Sequence, residues 1–317
     1  MTSLSRSVVS GSIVAASLLL ATPGHAAEPA SCQSVRFADV GWTDITSTTA
    51  LAGVVLDALG YQPKVDTLAL PVTFASLKNG DIDVFLGAWL PTMEADLAPF
   101  RAEGSIEEIR TNLEGAKYTL AVPTYLHDAG LKTFDDIGKF REQLGGRIYG
   151  IEPGNDGNRL ILGMIQGGQF GLNGFELVES SEQGMLAQVA RETRQKKPIV
   201  FLGWEPHPMN TNFQLSYLEG GDAVFGPNFG GATVHTLARK GLSTECPNLG
   251  KLLANLAFTL PMESEIMGAI LDDGKAPDAA AREWLTAHPD AYASWLEGVT
   301  TFAGEPGAAA VQAKLKP

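Results

Sequence analysis

Three tryptophans are the residues most suited to chemistry. Val84-Phe85-Leu86-Gly87-Ala88-Trp89 and Val200-Phe201-Leu202-Gly203-Trp204 are nearly the same phrase: an apolar run that reads as a buried strand, then Gly, then Trp. Trp42 closes a similar passage, Asp39-Val40-Gly41-Trp42. Each Trp reads as lying in a loop past the carboxyl end of a strand, where open α/β sheets bind ligands. A Trp taken alone is more often core packing. Trp284 and Trp295, set among Leu and Ala in helical segments, fit that alternative and are read as structural. The three loop tryptophans point instead to one shared site. Aromatic faces suit a quaternary ammonium, which has no N–H to donate and spreads its charge over methyl groups. Each desolvated face contributes about 2 kcal/mol, so three or four supply roughly 6–8 kcal/mol before association costs.

Such residues need a scaffold that brings them together. Residues 35–39 read as a strand and 46–59 as a helix, with apolar positions at Ala50, Leu51, Val54, Val55, Ala58 and Leu59. A second strand falls within 61–70, a short helix within 72–78, and a buried strand at 82–86. The pattern restarts with strands at 117–122 and 147–151, a helix after Glu152-Pro153-Gly154-Asn155-Asp156-Gly157, a helix over 183–194, and strands at 199–202 and 233–237. From Asn248 onward the chain reads as mostly helical, including 291–296. Alternation at these lengths gives an α/β fold class with a mostly parallel sheet.

The 317 residues carry a formal charge of −13. That excludes the basic footprint of a nucleic-acid or anionic-lipid binder and leans slightly toward a cationic ligand. Residues 1–26 read as a cleaved export signal: Arg6, then a small and apolar run over 8–21, then Gly24-His25-Ala26. That run is short of the ~20 residues a spanning helix needs. An exported chain meets an oxidising compartment, so Cys32 and Cys246 are expected to form one disulfide. Neither has the paired spacing of a metal site, and neither a metal nor a cofactor is expected.

Gly41-Trp42-Thr43-Asp44-Ile45-Thr46-Ser47-Thr48-Thr49-Ala50 and Gly80-Asp81-Ile82-Asp83-Val84-Phe85-Leu86-Gly87-Ala88-Trp89-Leu90-Pro91 resemble the glycine betaine/choline substrate-binding proteins of ABC importers. The likeness covers essentially the whole chain after the signal. It implies a two-lobe clamshell with two chain crossovers, lobe I spanning 27–115 and 230–317 and lobe II spanning 116–229. It implies a periplasmic, monomeric receptor for choline, with acetylcholine or glycine betaine bound more weakly, that delivers its ligand to a membrane permease. It also implies an aromatic cage of Trp42, Trp89, Tyr118 and Trp204, with Asp44 and Asn155 on the choline hydroxyl.

Three of those positions have ordinary alternatives in the sequence. Tyr118 reads by itself as a half-buried strand residue. Asp44 suits the first turn of a helix, where the dipole favours a carboxylate. Asn155 suits a turn. Chemistry at the ligand's polar end agrees with the resemblance, since a carboxylate accepts a hydroxyl proton and repels the carboxylate of a betaine.

The competing class is an enzyme. His127, His207, His235 and His288 make no metal-type spacing, no Gly-x-Ser-x-Gly elbow occurs, and Gly167-Gly168-Gln169-Phe170-Gly171 follows a helix rather than a strand. Catalysis is therefore not expected.

Overall fold

A computed structural model describes residue 2 and residues 27–316. The expected export signal lies outside the described residues, apart from residue 2. Among the described residues the strands are β1 (Ser34–Asp39), β2 (Gln62–Thr67), β3 (Val84–Leu90), β4 (Ile106–Pro123), β5 (Arg147–Tyr149), β6 (Glu176–Val178), β7 (Phe201–Glu205), β8 (Leu215–Tyr217) and β9 (Gly231–Arg239). The helices used below are α1 (Thr43–Ala58), α2 (Leu70–Asn79), α3 (Glu94–Glu103), α4 (Asp156–Gln166), α5 (Glu182–Arg194), α6 (Pro247–Asn255), α7 (Leu260–Leu271) and α8 (Pro277–Ala287).

The strands join in one curled sheet in the order β2-β1-β3-β9-β4-β7-β5-β6, with β8 on β4. Each end is a parallel trio, β2-β1-β3 and β6-β5-β7. Antiparallel β9 and β4 lie between the trios. β4 is shared: its first part pairs with β9 from Ile106 to Lys117, and its last part pairs with β7 and β8. The chain thus leaves the first trio along β4 and returns along β9. This is the two-lobe α/β architecture expected, with β4 and β9 linking the two trios.

α1 carries few polar side chains outside its hydroxyls, and nearly every residue of it is buried. A helix apolar on all sides belongs in an interior. α1 fills that role between the sheet and helices α7 and α8. Its tight seat depends on Gly87, where a Cβ would fall 2.6 Å from Ile45 Cγ1. The β3–β9 register shifts across the same stretch, between Phe85 and Ala88.

Cys32 and Cys246 form the expected disulfide, with Cα atoms 5.7 Å apart. Glu28 lies beside it and accepts the backbone N–H groups of Asn248 and Leu249 at the start of α6. Among the described residues, Glu28, Cys32 and Cys246 are the one acidic, Cys or His trio close enough to hold a metal ion. With both sulfurs in a disulfide, the trio offers no thiolates.

Two local expectations need correction. Trp89 and Trp204 are not in loops: β3 runs to Leu90 and β7 to Glu205, so both lie inside strands. Gly87 and Gly203 do not end these strands; each instead admits a close neighbour within its strand. At Gly203 a Cβ would fall 2.9 Å from that of Ala121. Residues 291–296 are turns and one 3-10 turn, Ser294–Leu296, because His288-Pro289 interrupts the helical run. Trp295 is buried there and donates to the Ala257 carbonyl, whereas Trp284 stacks on His288.

Candidate functional site

The site begins at the corner after β1. The Asp39 carboxylate accepts the Gly41 N–H at 2.7 Å and the Thr46 hydroxyl at 2.8 Å, folding the chain back onto its own helix. Gly41 takes φ +84°, a left-handed conformation that glycine adopts at little cost. Trp42 then occupies the N-cap position of α1, and Asp44 sits in its first turn. α1 therefore starts three residues earlier than its apolar spacing suggests, because polar Thr43 and Asp44 face a buried site rather than solvent.

Trp89 arrives from β3, and its indole N–H donates to Asp44 Oδ2 at 3.1 Å. Tyr118 and Trp204 are direct partners across the antiparallel β4–β7 pair. Their rings lie 6.3 Å apart at 80°, the edge-to-face arrangement aromatic pairs favour. Tyr118 also lies 5.9 Å from Trp89. Asn155 caps α4, accepting the Asn158 N–H at 3.0 Å. The same Oδ1 accepts the Tyr118 hydroxyl at 2.9 Å, while the Asn155 amide donates to Asp156 Oδ1 at 3.1 Å. Trp42 is fixed from the far side by Glu152, whose Oε1 accepts its indole N–H at 2.8 Å.

All six residues singled out from the sequence (Trp42, Asp44, Trp89, Tyr118, Asn155 and Trp204) line one cavity, joined by Ile151 and Asp156. The space between atoms there is about 260 Å³, counting space open to solvent. The four aromatic rings are each at most 5 % exposed. Asp44 and Asn155 also keep the roles of their ordinary alternatives, a first-turn carboxylate and a cap, so those alternatives and a place in the cavity coexist.

Charge is unevenly satisfied. Asp44 Oδ1 and Asp156 Oδ2 are buried without a hydrogen-bond partner among the described residues. Burial, reinforced by the nearby Glu182, raises the Asp44 pKa to about 8. Burial also lifts Glu152 to about 7 and Asp156 to about 6. Glu263, on α7, is pushed well above its ordinary range by burial and then by Asp44. Several carboxyls thus surround an aromatic chamber with no Lys or Arg in its wall. A cation there would relieve the penalty and an anion would deepen it.

Sequence reasoning missed Ile151, Asp156 and Glu152. Asp156 adjoins Asn155 in an otherwise turn-like phrase, and a helix read as beginning at Asn155 would have placed both carboxyl and amide at its first turn. Glu152 has no such local signal, since its partner Trp42 is 110 positions away.

Residues 33–287 match OpuAC, described as the substrate binding domain of ABC-type glycine betaine transport system. The chain is 62% identical to an ABC-transporter choline binding protein solved in complex with choline, covering 91% of this chain and 100% of that one, with a TM-score of 0.90. Against an ABC-transporter choline binding protein in unliganded semi-closed conformation, the identity is again 62% and the TM-score 0.83, over 90% of this chain and 99% of that one. The shape described here is therefore nearer the liganded than the semi-closed structure. A glycine betaine/carnitine transport binding protein of Listeria monocytogenes is 31% identical over 175 residues, 55% of this chain and 57% of that protein.

Proposed function

Because the chain belongs to the family of substrate-binding domains of ABC-type glycine betaine transport systems, we propose that it is the choline receptor of an ABC importer. It works in the periplasm as a monomer and hands choline to a membrane permease, without chemical change to the ligand. One observation carries the choice of ligand: an enclosed chamber walled by four aromatic rings, with a buried carboxylate oxygen of Asp44 lacking a partner among the described residues. The trimethylammonium group occupies the ring faces of Trp42, Trp89, Tyr118 and Trp204. Its hydroxyl donates to Asp44 and accepts from the free N–H of Asn155.

The lobe limits of 27–115 with 230–317, and 116–229, put Trp42, Asp44 and Trp89 on one lobe and Tyr118, Asn155 and Trp204 on the other. The ligand bridges both halves and so stabilises the closed form. Acetylcholine and glycine betaine bind more weakly. Betaine carries a carboxylate, which would face Asp44 and Asp156 with no cation in the wall. Calorimetry on the two ligands tests this reading directly. Choline binds about 10-fold or more tighter, since a like charge brought against a buried carboxylate costs over 1.4 kcal/mol. Tighter binding of betaine would refute the assignment.

Gly157→Ala offers a test of the wall itself. A Cβ there would lie 2.1 Å from the Tyr118 hydroxyl oxygen, at the first turn of α4. Overpacking of this kind costs about 1–3 kcal/mol, so choline affinity drops roughly 10- to 100-fold. Titration by intrinsic Trp fluorescence checks it, and wild-type affinity in this variant would show that Tyr118 does not form the wall.

A further inference from the structure

Glu182, at the start of α5, makes contacts for which the cage has no use. Its side chain is completely buried. Oε2 accepts the Thr43 backbone N–H at 2.8 Å, and Oε1 accepts the Thr43 hydroxyl at 2.5 Å. His207 Nδ1 accepts the Met209 N–H at 2.9 Å, which leaves Nε2 as the protonated nitrogen. That Nε2–H points to Glu182 Oε1 at 3.2 Å. Helix N-termini expose N–H groups that need acceptors. α1 has no side-chain cap of its own, since Trp42 holds that position. Glu182 caps it from 139 positions away.

The two residues Glu182 grips each adjoin a wall of the cage. Thr43 follows Trp42 directly. His207 packs edge-to-face on Trp204, with ring centroids 4.9 Å apart. Neither Thr43, Glu182 nor His207 lines the cavity.

We propose that Glu182 is an interlobe latch: a positioning residue that caps α1 across the closed cleft and sets how long choline stays, without touching it. The proposal rests on the receptor reading and its lobe limits, which put Thr43 opposite Glu182 and His207. In an open cleft, water solvates the carboxylate and the α1 N–H groups separately. The latch therefore forms only on closing. It resists the reopening that dissociation needs, and leaves the first encounter with ligand almost untouched. Charge-assisted bonds in a dry seam are the strong kind, so the effect is large for a residue outside the site.

Stopped-flow Trp fluorescence with choline on the full exported chain reads the latch. Glu182→Ala raises the dissociation rate about 10- to 100-fold and changes the association rate less than about threefold. Glu182→Gln keeps an acceptor for the Thr43 N–H but loses the charge, and falls between Ala and wild type. The ligand-free melting temperature stays near that of wild type, whereas a merely structural Glu182 would lower it. Wild-type dissociation rates in a folded Glu182→Ala chain overturn the latch. A ligand-free arm separates it from the choline reading. Spin labels at Val72→Cys on α2 and Leu162→Cys on α4, both exposed, report the interlobe distance. If the wild type ignores choline, the receptor reading falls and this arm decides the latch. A smaller closed fraction in Glu182→Ala than in the wild type supports it, and identical distributions refute it.

Discussion

Replacing Trp204 by Ala lowers choline affinity by about 100-fold or more, because a desolvated aromatic face contributes about 2 kcal/mol and the apolar contact area is lost with it. Trp204 is buried, meets Tyr118 edge-to-face and packs on His207. On the receptor reading the ligand-free chain opens and frees one face of Trp204, so the loss falls mainly on binding rather than on folding. Trp204→Phe keeps a negative face at the same strand position and retains most of the affinity. Trp204→Leu keeps apolar bulk without a quadrupole and behaves like Ala. Calorimetry across the three variants, with thermal melting of each without ligand, separates the possibilities. Leu matching Phe would mean that burial rather than the ring face holds the cation. Collapse of the ligand-free fold in Trp204→Ala would return this residue to the core.

The second large effect is on pH. Within the closed frame burial holds the Asp44 carboxyl at about 8, Glu152 at about 7 and Asp156 at about 6. A cation favours the ionised form of each, so choline binding releases protons. Affinity then rises with pH through the range of those values, by up to about tenfold per pH unit for each proton released, and levels above it. A closed chain without ligand shows the reverse sign. Its carboxyl pKa values lie above those of the unfolded chain, so between the two values the native state holds more protons. The contribution of these three carboxyls to stability is therefore greatest at the acidic end and falls as pH rises toward 8.

Asp44→Asn removes the largest of these contributions. It lowers choline affinity about 10- to 100-fold at alkaline pH, where the lost carboxylate would have been charged. A shallower slope remains from Glu152 and Asp156. Glycine betaine shows the opposite trend in the wild type: protonated Asp44 can donate to its carboxylate, and ionised Asp44 repels it. Discrimination for choline thus widens with pH. Isothermal titration in buffers of different ionisation enthalpy counts the released protons. A flat affinity profile in the wild type, or the same slope in Asp44→Asn, would remove Asp44 from the site.

The echo of Val84-Phe85-Leu86-Gly87-Ala88-Trp89 in Val200-Phe201-Leu202-Gly203-Trp204 was legible because buried parallel strands read as continuous apolar runs. It placed one Trp in each half of the sheet. Where each strand ended was not legible. Gly is a strand breaker by composition, but Gly87 and Gly203 make room for Ile45 and Ala121 inside continuing strands, which only packing reveals. The first half of β4 was missed for a related reason. Glu107, Glu108, Arg110 and Glu114 make it look like a charged loop, yet it lies against β9 with one side toward solvent. The shared strand between the lobes was therefore seen only from residue 117 onward.

The site divides along the same line. Trp42, Trp89 and Trp204 stood out through residue type and local phrase. Tyr118, Asp44 and Asn155 entered through resemblance, since a strand tyrosine, a first-turn carboxylate and a helix cap are each ordinary by themselves. Their cooperation depends on tertiary distances, such as the 2.9 Å from the Tyr118 hydroxyl to Asn155 Oδ1. Glu182 and His207 gave no signal, because their partners are tertiary. Asp44 gained a sharper role from the structure. In the proposed reading it is not simply a fixed negative charge at the ligand's polar end but a carboxyl whose ionisation is coupled to the arrival of the cation.

Cation capture by ring faces is the centre of this account, and one comparison isolates it. The neutral carbon isostere of choline, 3,3-dimethylbutan-1-ol, has the same shape and the same hydroxyl but no charge. Calorimetry of both ligands with the wild-type chain should find choline bound at least about 100-fold tighter, since the cation–π and carboxylate attractions vanish with the charge while the burial term stays. Affinities equal within about threefold would mean that the chamber reads shape and hydroxyl alone, and that its aromatic rings do not hold a cation.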